Sequence, residues 1–329
     1  MKRPSDTFKA VILAGGSGER FWPLSTPEKP KQFLRVFGGE SLIRQSVTRL
    51  KGLVRPEHVF VITSRELVQT TRRELPELPA ENVVGEPMRR DTGAAVALGV
   101  GAAGDGVIGF FPSDQMVRDP RRFRATVKKA VAAAKRSRTI VTLGIAPGYP
   151  STGFGYIDPK TGTFVEKPDL KAARRYLKRG YLWNAGMFIA RAETYRDAFA
   201  KYAPDLLRLT DGSAGVASVY ETLPRISFDF AVMEPVSRVK GGVCVIPGDF
   251  GWDDVGSFAA FDKYFPHDAR GNVREGPCTV VEADGNICVA RSARISLLGV
   301  KNLVVITTPD SVLVADKSRI SEMKKLFKR

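Results

Sequence analysis

The chain has 329 residues, 43% hydrophobic and 26% charged, the texture of an ordinary globular protein with room for one large domain or a large and a small one. Its 51 basic residues exceed 35 acidic ones, giving a net charge of +16 that suits anionic ligands, but the basic pairs are scattered without interleaved aromatics, which argues against a nucleic-acid partner. No apolar run has the length of a membrane span and the first ten residues are too polar for a signal peptide, so no membrane partner and a cytoplasmic location are expected.

Ala10 to Leu13 is a short apolar run that reads as a buried strand. A turn with Gly15, Gly16 and Gly18 follows, whose backbone N–H groups can approach an anion with no Cβ in the way. Arg20 and Lys31 then flank a Pro-punctuated loop, and the two cations with the exposed N–H groups make a cradle for a polyphosphate. Neither GxxxxGK[ST] nor GxGxxG describes this loop: no Lys-Ser or Lys-Thr follows the glycines, and Phe21 occupies the third Gly position. Ser41 to Leu50 reads as a helix with Leu42, Ile43, Val47 and Leu50 on one face, Val59 to Ile62 as a strand, and Thr63 with Glu66 as a capping box for the next helix. Asn82 to Gly85 is a further strand. Asp91 or Thr92 caps an Ala-rich helix running to about Ala103, and Val107 to Phe111 is a strand ending in Pro112-Ser113-Asp114. Pro120 opens a helix with Phe123, Val127, Ala130, Val131 and Ala134 inward, and Ile140 to Ile145 is again a strand. This alternation predicts an α/β fold with a Rossmann-like, doubly wound, mainly parallel sheet, which binds ligands beyond the carboxyl ends of its strands, where the glycine turn and Asp114 fall.

The middle is less regular. Thr152-Gly153-Phe154-Gly155-Tyr156 is glycine-punctuated, Phe164 to Pro168 ends a strand, Asp169 caps a helix that Gly180 stops, and Tyr181 to Ala190 is a strand with Asn184 inside it. Helices are expected over Glu193 to Tyr202 and Phe228 to Met233, and Val243 to Ile246 leads to Gly251-Trp252-Asp253-Asp254. From about Gly271, short apolar pairs alternate with turn signals, which predicts a small C-terminal β appendage followed by an amphipathic helix with Ile320, Met323, Leu326 and Phe327. The expected division is a catalytic domain over 1–266 and a β-strand and helix domain over 267–329, the latter for packing or dimerisation because exposed strand edges usually need a partner.

Several residues then carry chemistry. Asp114 and Asp254 each follow an apolar strand, and one or two carboxylates with substrate phosphates are the usual holders of Mg²⁺ in nucleotide chemistry. Asp253 is a rival that spacing does not eliminate. Lys167 is suited to a second phosphate and Glu166 to sugar hydroxyls, while Asn184 is a buried amide that needs partners. Glu86, after a strand, is suited to accept the N1 and N2 protons of guanine. The three cysteines, Cys244, Cys278 and Cys288, sit among apolar residues as small core side chains, and with only His58 and His267 no zinc site is expected.

LAGGSGERFWPLSTPEKPKQF resembles the signature of the sugar-phosphate nucleotidyltransferases, two glycines, then Gly-x-Arg and a downstream Pro-Lys. Glu86-Pro87 with Arg90-Asp91-Thr92, then Pro112 to Asp114, Thr152 to Tyr156, Phe164 to Pro168, Trp183 to Phe188 and Trp252 to Ser257 follow the order of the mannose-1-phosphate guanylyltransferase branch. Val304-Val305-Ile306 and Leu313 to Lys317 are similar to its tail. The departures are Asp91 where Asn is usual, Gly93 where Ala is usual, and Asn302 where Asp is common.

The resemblance implies the nucleotide-diphospho-sugar transferase fold and transfer of GMP from GTP to α-D-mannose 1-phosphate, giving GDP-mannose and pyrophosphate, with Mg²⁺ or another divalent cation. It implies that Arg20, Lys31, Asp114 and Asp254 act in catalysis, with the two acids on the metal. Leu13, Ala14, Gly15, Gly16, Ser17, Gly18, Glu86, Asp91 and Thr92 then bind the nucleotide, and Gly153, Tyr156, Glu166, Lys167, Asn184 and Gly186 the sugar phosphate. A homodimer is expected. Because the sequence stops after the β appendage, phosphomannose isomerase activity is not expected. The alternatives are a pyrophosphorylase pairing UTP or dTTP with glucose 1-phosphate, a non-catalytic regulator that binds sugar nucleotides, and a basic nucleic-acid-binding protein.

Overall fold

A computed structural model describes residues 6–16, 18–212 and 216–327. The chain divides into two compact units, each discontinuous in sequence: Met1–Gly15 with Arg44–Asp253, and Gly16–Ile43 with Asp254–Arg329.

The larger unit is built on one sheet. Its strands are β1 (Phe8–Ala14), β2 (Val59–Ser64), β3 (Val83–Glu86), β4 (Val107–Pro112), β6 (Ile140–Ile145), β9 (Leu182–Arg191) and β10 (Val243–Gly248), in the order β10-β6-β9-β4-β1-β2-β3. The short pairs β5 (Met116–Val117) with β11 (Trp252–Asp253), and β7 (Tyr156–Ile157) with β8 (Phe164–Val165), extend its loops. All pairings within β4-β1-β2-β3 and between β10 and β6 are parallel, whereas β9 runs antiparallel to both neighbours, β4 and β6. The chain steps outward from β1 to β3 and returns on the other side of β1 as β4. That reversal opens a crevice at the carboxyl ends of β1 and β4.

Burial explains the elements. Strands β1 and β4 are apolar on both faces because helices cover both sides, as parallel sheets require. Two short helices, α1 (Leu42–Thr48) and α2 (Val68–Glu74), precede and follow β2. Helix α3 (Asp91–Ala103) is apolar all round and buried, with Ala94, Val96, Ala97 and Val100 inaccessible. Helix α4 (Pro120–Arg136) is amphipathic: Phe123, Val127, Ala130 and Ala134 are buried, while Val131 is only half-buried. Its cap is Asp119, whose carboxylate accepts from Arg121 N and Arg122 N at 2.9 Å.

Local chemistry departs from expectation at two helix starts. The capping box at Thr63 and Glu66 does not form; Thr63 Oγ1 donates instead to Ala14 O at 3.1 Å, tying β2 to the end of β1. At α3 the side chains of Asp91 and Thr92 do not cap. Asp91 Oδ1 accepts from the adjacent Thr92 N, and Thr92 Oγ1 accepts from Phe228 N at 3.0 Å.

The smaller unit holds a stacked β structure. Strands β12 (Val273–Glu275), β14 (Ile287–Ala290) and β16 (Leu303–Thr308) run parallel, rung upon rung, with β17 (Ser311–Asp316) antiparallel at the edge, and β13 (Cys278–Val281) pairs in parallel with β15 (Ile295–Leu298). Side-chain amides join the rungs: Asn286 N and Nδ2 both donate to Asn272 Oδ1 at 2.9 Å, and Leu303 N donates to Asn286 Oδ1. The expected final α-helix is instead a run of 3₁₀ turns, Lys317–Phe327, which buries Ile320 and Met323 but leaves Leu326 and Phe327 exposed. A 3₁₀ turn holds three residues, so the apolar spacing of an α-helix does not align on one face.

Candidate active site

In the larger unit, three groups of side chains gather at strand ends. The first surrounds β1. Leu13 O accepts from Ser113 N at 3.0 Å, Ala14 is buried and Gly15 is exposed. Glu86, at the end of β3, is buried beside them: a Cβ on Gly15 would stand 3.5 Å from Glu86 Oε2. Tyr220 donates to Glu86 Oε1 at 3.1 Å. Burial pushes the Glu86 carboxyl up to about 7, with Asp91 adding to the rise and the Tyr220 hydrogen bond and Arg89 opposing it. Asp91 is exposed and holds a left-handed backbone, φ 66°, uncommon for a side-chain-bearing residue though most tolerated by Asn and Asp.

The second group supports Asp114. Arg49, just beyond the end of α1, is buried; it donates to Gln115 O at 2.9 Å, Pro112 O at 3.0 Å and Ser46 Oγ at 2.6 Å, and lies over the Phe123 ring. Burial lowers its pKa to about 10, partly offset by Asp114. Gln115 in turn donates to Ala185 O and accepts from Trp252 Nε1, both at 2.9 Å. The Pro112-to-Gln115 turn is thus pinned at both ends, with half-buried Asp114 between.

The third group brings Glu166, Lys167, Asn184 and Gly186 together from separate elements. Lys167 Nζ pairs with Glu166 Oε1 at 2.8 Å. Gly155 leaves room here, because a Cβ would fall 2.8 Å from the buried Phe164 ring as well as 2.6 Å from Glu166 Oε2. Asn184 lies where the register of β9 against β6 shifts in a bulge, and Gly186 takes up the bulge at φ 68°. Asn184 Oδ1 accepts from Thr142 Oγ1 at 3.0 Å and from Gly186 N at 3.1 Å, while Nδ2 donates to Asp229 Oδ1 at 3.0 Å. Burial opposes the charge on Lys167, but the Glu166 hydrogen bond and the nearby carboxylates outweigh it and raise the ammonium pKa. Burial raises Asp229, with Glu166 adding to it and Lys167 opposing. Gly153 is exposed, with its N–H bonded to Ser151 Oγ. Tyr156 is fully buried and its hydroxyl donates to Ser151 O at 3.0 Å, so it supports this loop from beneath rather than presenting a ligand face.

In the smaller unit, Gly16 is open, with no atom within 4 Å of where a Cβ would stand, and Ser17 lies outside the described residues. Gly18 has φ 64°, and a Cβ there would stand 2.5 Å from Lys31 Cβ and 2.6 Å from Lys31 N, so only glycine fits. Lys31 is buried and donates to Asp254 O at 2.7 Å. The Asp254 carboxylate and the Arg20 guanidinium converge over Gly256: a Cβ there would be 3.3 Å from Asp254 Oδ2 and 3.5 Å from Arg20 Nη1. Arg20 is exposed.

Residues 9–271 match the protein family described as Nucleotidyl transferase. The chain belongs to the nucleotidyl transferase family. Residues 276–329 of this nucleotidyl transferase match a second family, the MannoseP isomerase/GMP-like beta-helix domain, in accord with the stacked parallel rungs. It is 34% identical over 352 residues to the mannose-1-phosphate guanylyltransferase of Escherichia coli (strain K12), across 97% of this chain and 72% of that protein. Identity to the alginate biosynthesis protein AlgA of Pseudomonas aeruginosa is 34%, over 97% of this chain and 71% of that one. A crystal structure described as mannose-1-phosphate geranyltransferase from Thermus thermophilus superposes with a TM-score of 0.88 at 33% identity, covering 98% of this chain and 99% of the other. Among the described residues no helix is long and apolar enough to cross a membrane.

Sequence reasoning missed Tyr220, Asp229, Glu234, Thr142, Arg49 and Gln115. The one available signal lay in Phe228 to Met233, read only as a helix, where an acid interrupts an apolar run.

Proposed function

We propose that this nucleotidyl transferase joins GTP and α-D-mannose 1-phosphate into GDP-mannose and pyrophosphate. The sugar phosphate oxygen attacks the α-phosphorus in line, and pyrophosphate leaves with the electron pair of the broken P–O bond. That nucleophile is already anionic, so no general base is required, and the work is positioning and charge neutralisation. The observation that carries this reading is the third group above: a lysine, a carboxylate and an oriented amide in one contact network, as a phosphate-bearing sugar requires. The relatives named as mannose-1-phosphate guanylyltransferases support the choice of sugar and base.

In this reading Gly15 to Gly18 and Arg20 hold the triphosphate, Lys31 neutralises charge near the α-phosphate, and Leu13, Ala14 and Glu86 face guanine. Asp91 and Thr92 flank the ribose side. Lys167 takes the sugar phosphate, and Glu166, Asn184, Gly153 and Gly186 line the mannose pocket. Asp114 and Asp254 are the candidate Mg²⁺ ligands; hard carboxylate oxygens fit that ion, and it supplies charge neutralisation to the phosphates when bound. The proposed activity is the transferase step, in the cytoplasm, by a homodimer. The test is pyrophosphate release over a panel of nucleotides and sugar 1-phosphates. GTP with mannose 1-phosphate is expected to give the highest kcat/KM; preference for UTP or dTTP with glucose 1-phosphate would overturn the reading.

A further inference from the structure

We infer that Asp229 and Glu234 are the positioning residues of the sugar-phosphate pocket: Asp229 sets the sense of the Asn184 amide, and Glu234 holds the backbone at Glu166. The inference rests on the reading of that pocket given above and goes further, to what orients it.

Asp229–Met233 forms a π-helical turn, in which Glu234 N donates to Asp229 O five residues back. The i→i+5 bond widens the turn, so residues five apart lie nearer one face than in an α-helix, and such turns are rare and frequent at functional sites. Here the turn aims two carboxylates at one pocket. Asp229 Oδ1 accepts from Asn184 Nδ2 at 3.0 Å, and Glu234 Oε1 accepts from Glu166 N at 3.0 Å.

The consequence for Asn184 follows from counting its hydrogen bonds. Its carbonyl oxygen has two lone pairs, both used, by Thr142 Oγ1 and by Gly186 N. Its Nδ2 has two protons, and Asp229 takes one. A flipped amide would set N–H against the Gly186 N–H and oxygen against the Asp229 carboxylate. Asn184 can therefore only donate to a ligand. Glu166, its neighbour, can only accept while ionised, so the pocket pairs a donor with an acceptor, the match for sugar hydroxyls.

Glu234 acts on the other member. Lys167 holds a left-handed backbone, φ 42°, which is costly for a side-chain-bearing residue and persists only where neighbours enforce it. The bond from Glu166 N to Glu234 fixes the residue just before that strained position. The carboxylates of Asp229, Glu166 and Asp91 all act on Lys167 and favour its charged form, ready for a phosphate.

The test uses the full chain with Asp229→Ala, Asp229→Asn and Glu234→Ala, measuring KM for each substrate, kcat and thermal midpoint. Asp229→Ala and Glu234→Ala are expected to raise KM for the sugar phosphate about tenfold or more, with KM for the nucleotide within about twofold. Asp229→Asn keeps the shape and an acceptor oxygen, so it should raise the same KM by less. In an Asn184→Ala background, Asp229→Ala should add no further rise. A lowered thermal midpoint with an unchanged sugar-phosphate KM, or an equal change in both KM values, would overturn the inference. If Asp229→Ala does not fold, the Asn and Glu234 variants decide by the same criterion. Should the wild type prefer another sugar 1-phosphate, the proposed substrate fails while the variants, read on that sugar, still test the positioning.

Discussion

Tyr220 donates its hydroxyl to Glu86 at 3.1 Å, and both side chains are buried. With guanine at Glu86 as proposed, nucleotide binding is expected to depend on pH near neutrality. Guanine offers N–H donors, so Glu86 must be ionised to accept them, yet burial holds its pKa at about 7. KM for GTP should therefore rise as pH falls through 7. Tyr220→Phe removes a hydrogen bond that favours the anion, so the bend should move to higher pH. Glu86→Gln should flatten it. A profile that is flat through neutrality and indifferent to Tyr220→Phe would place guanine elsewhere.

The same residue sets a stability prediction of opposite sign to that of a paired acid. Glu86 is raised from 4.5 in the unfolded chain to about 7 in the fold, so the folded state binds more protons between those values. Its contribution is greatest below the unfolded pKa and is lost as pH rises through the folded one. Glu86→Gln removes that loss. The variant should gain stability over wild type by up to about 3 kcal/mol at mildly alkaline pH and little in acid, by urea denaturation at the two pH values. An advantage confined to acid would show that Glu86 is held ionised.

Gly18 and Lys31 are locked by sterics rather than charge. Gly18→Ala forces a Cβ to 2.5 Å from Lys31 Cβ at a φ of 64°, so the Lys31 segment must shift. Turnover should fall by roughly 10²-fold, as for loss of a charge that acts in the transition state. The same variant measured for GTP binding by fluorescence should lose much less. Equal losses in binding and turnover would make Lys31 a ground-state ligand.

Asp253 is a strand residue paired with Met116, whereas the Asp254 carboxylate converges with Arg20 over Gly256. Asp254→Ala should abolish turnover with an unchanged thermal midpoint, and Asp253→Ala should retain it. The reverse result would move the metal to Asp253.

Arg49 is the brace behind Asp114. Arg49→Met removes the Arg49 bond to the Gln115 carbonyl and leaves the Pro112 carbonyl to Ser46 Oγ at 3.3 Å, at a cost of about 2 kcal/mol in urea unfolding. Arg49→Lys keeps the charge but has no planar fork to span both carbonyls, so it should rescue only part of that. Both variants should need more Mg²⁺ for half-maximal activity. An unchanged Mg²⁺ requirement would limit Arg49 to a stabilising role.

The doubly wound core was legible because β1, β2, β4 and β6 are mostly apolar and α4 has a clear period. The antiparallel sense of β9 was not, since a buried strand has the same composition in either direction. The glycine turn announced itself through residues that only a close backbone needs, as Gly18 does. Glu166, Lys167 and Asn184 stood out by chemical type, but what orients them did not. Asp229 and Glu234 reach the pocket through a single π turn, too short to leave a period in the sequence, and Tyr220 and Arg49 act on residues far from them along the chain. The Leu326-Phe327 pair misled because its α-helical spacing lies on 3₁₀ turns.

Strand β17 is the edge of its sheet, and its outward residues Val312 and Val314 are 64% and 63% exposed while Leu313 between them is buried. An edge strand with free backbone groups and an apolar outer row is a template for pairing with another chain. This edge is the expected contact of the proposed homodimer. Light scattering should give twice the chain mass for the wild type and a single chain mass for Val312→Lys combined with Val314→Lys, with the thermal midpoint little changed. These valines face away from the buried rungs, so charge is tolerated in the monomer and repels only across the interface. A double variant that keeps the wild-type mass would exclude β17 from any dimer contact.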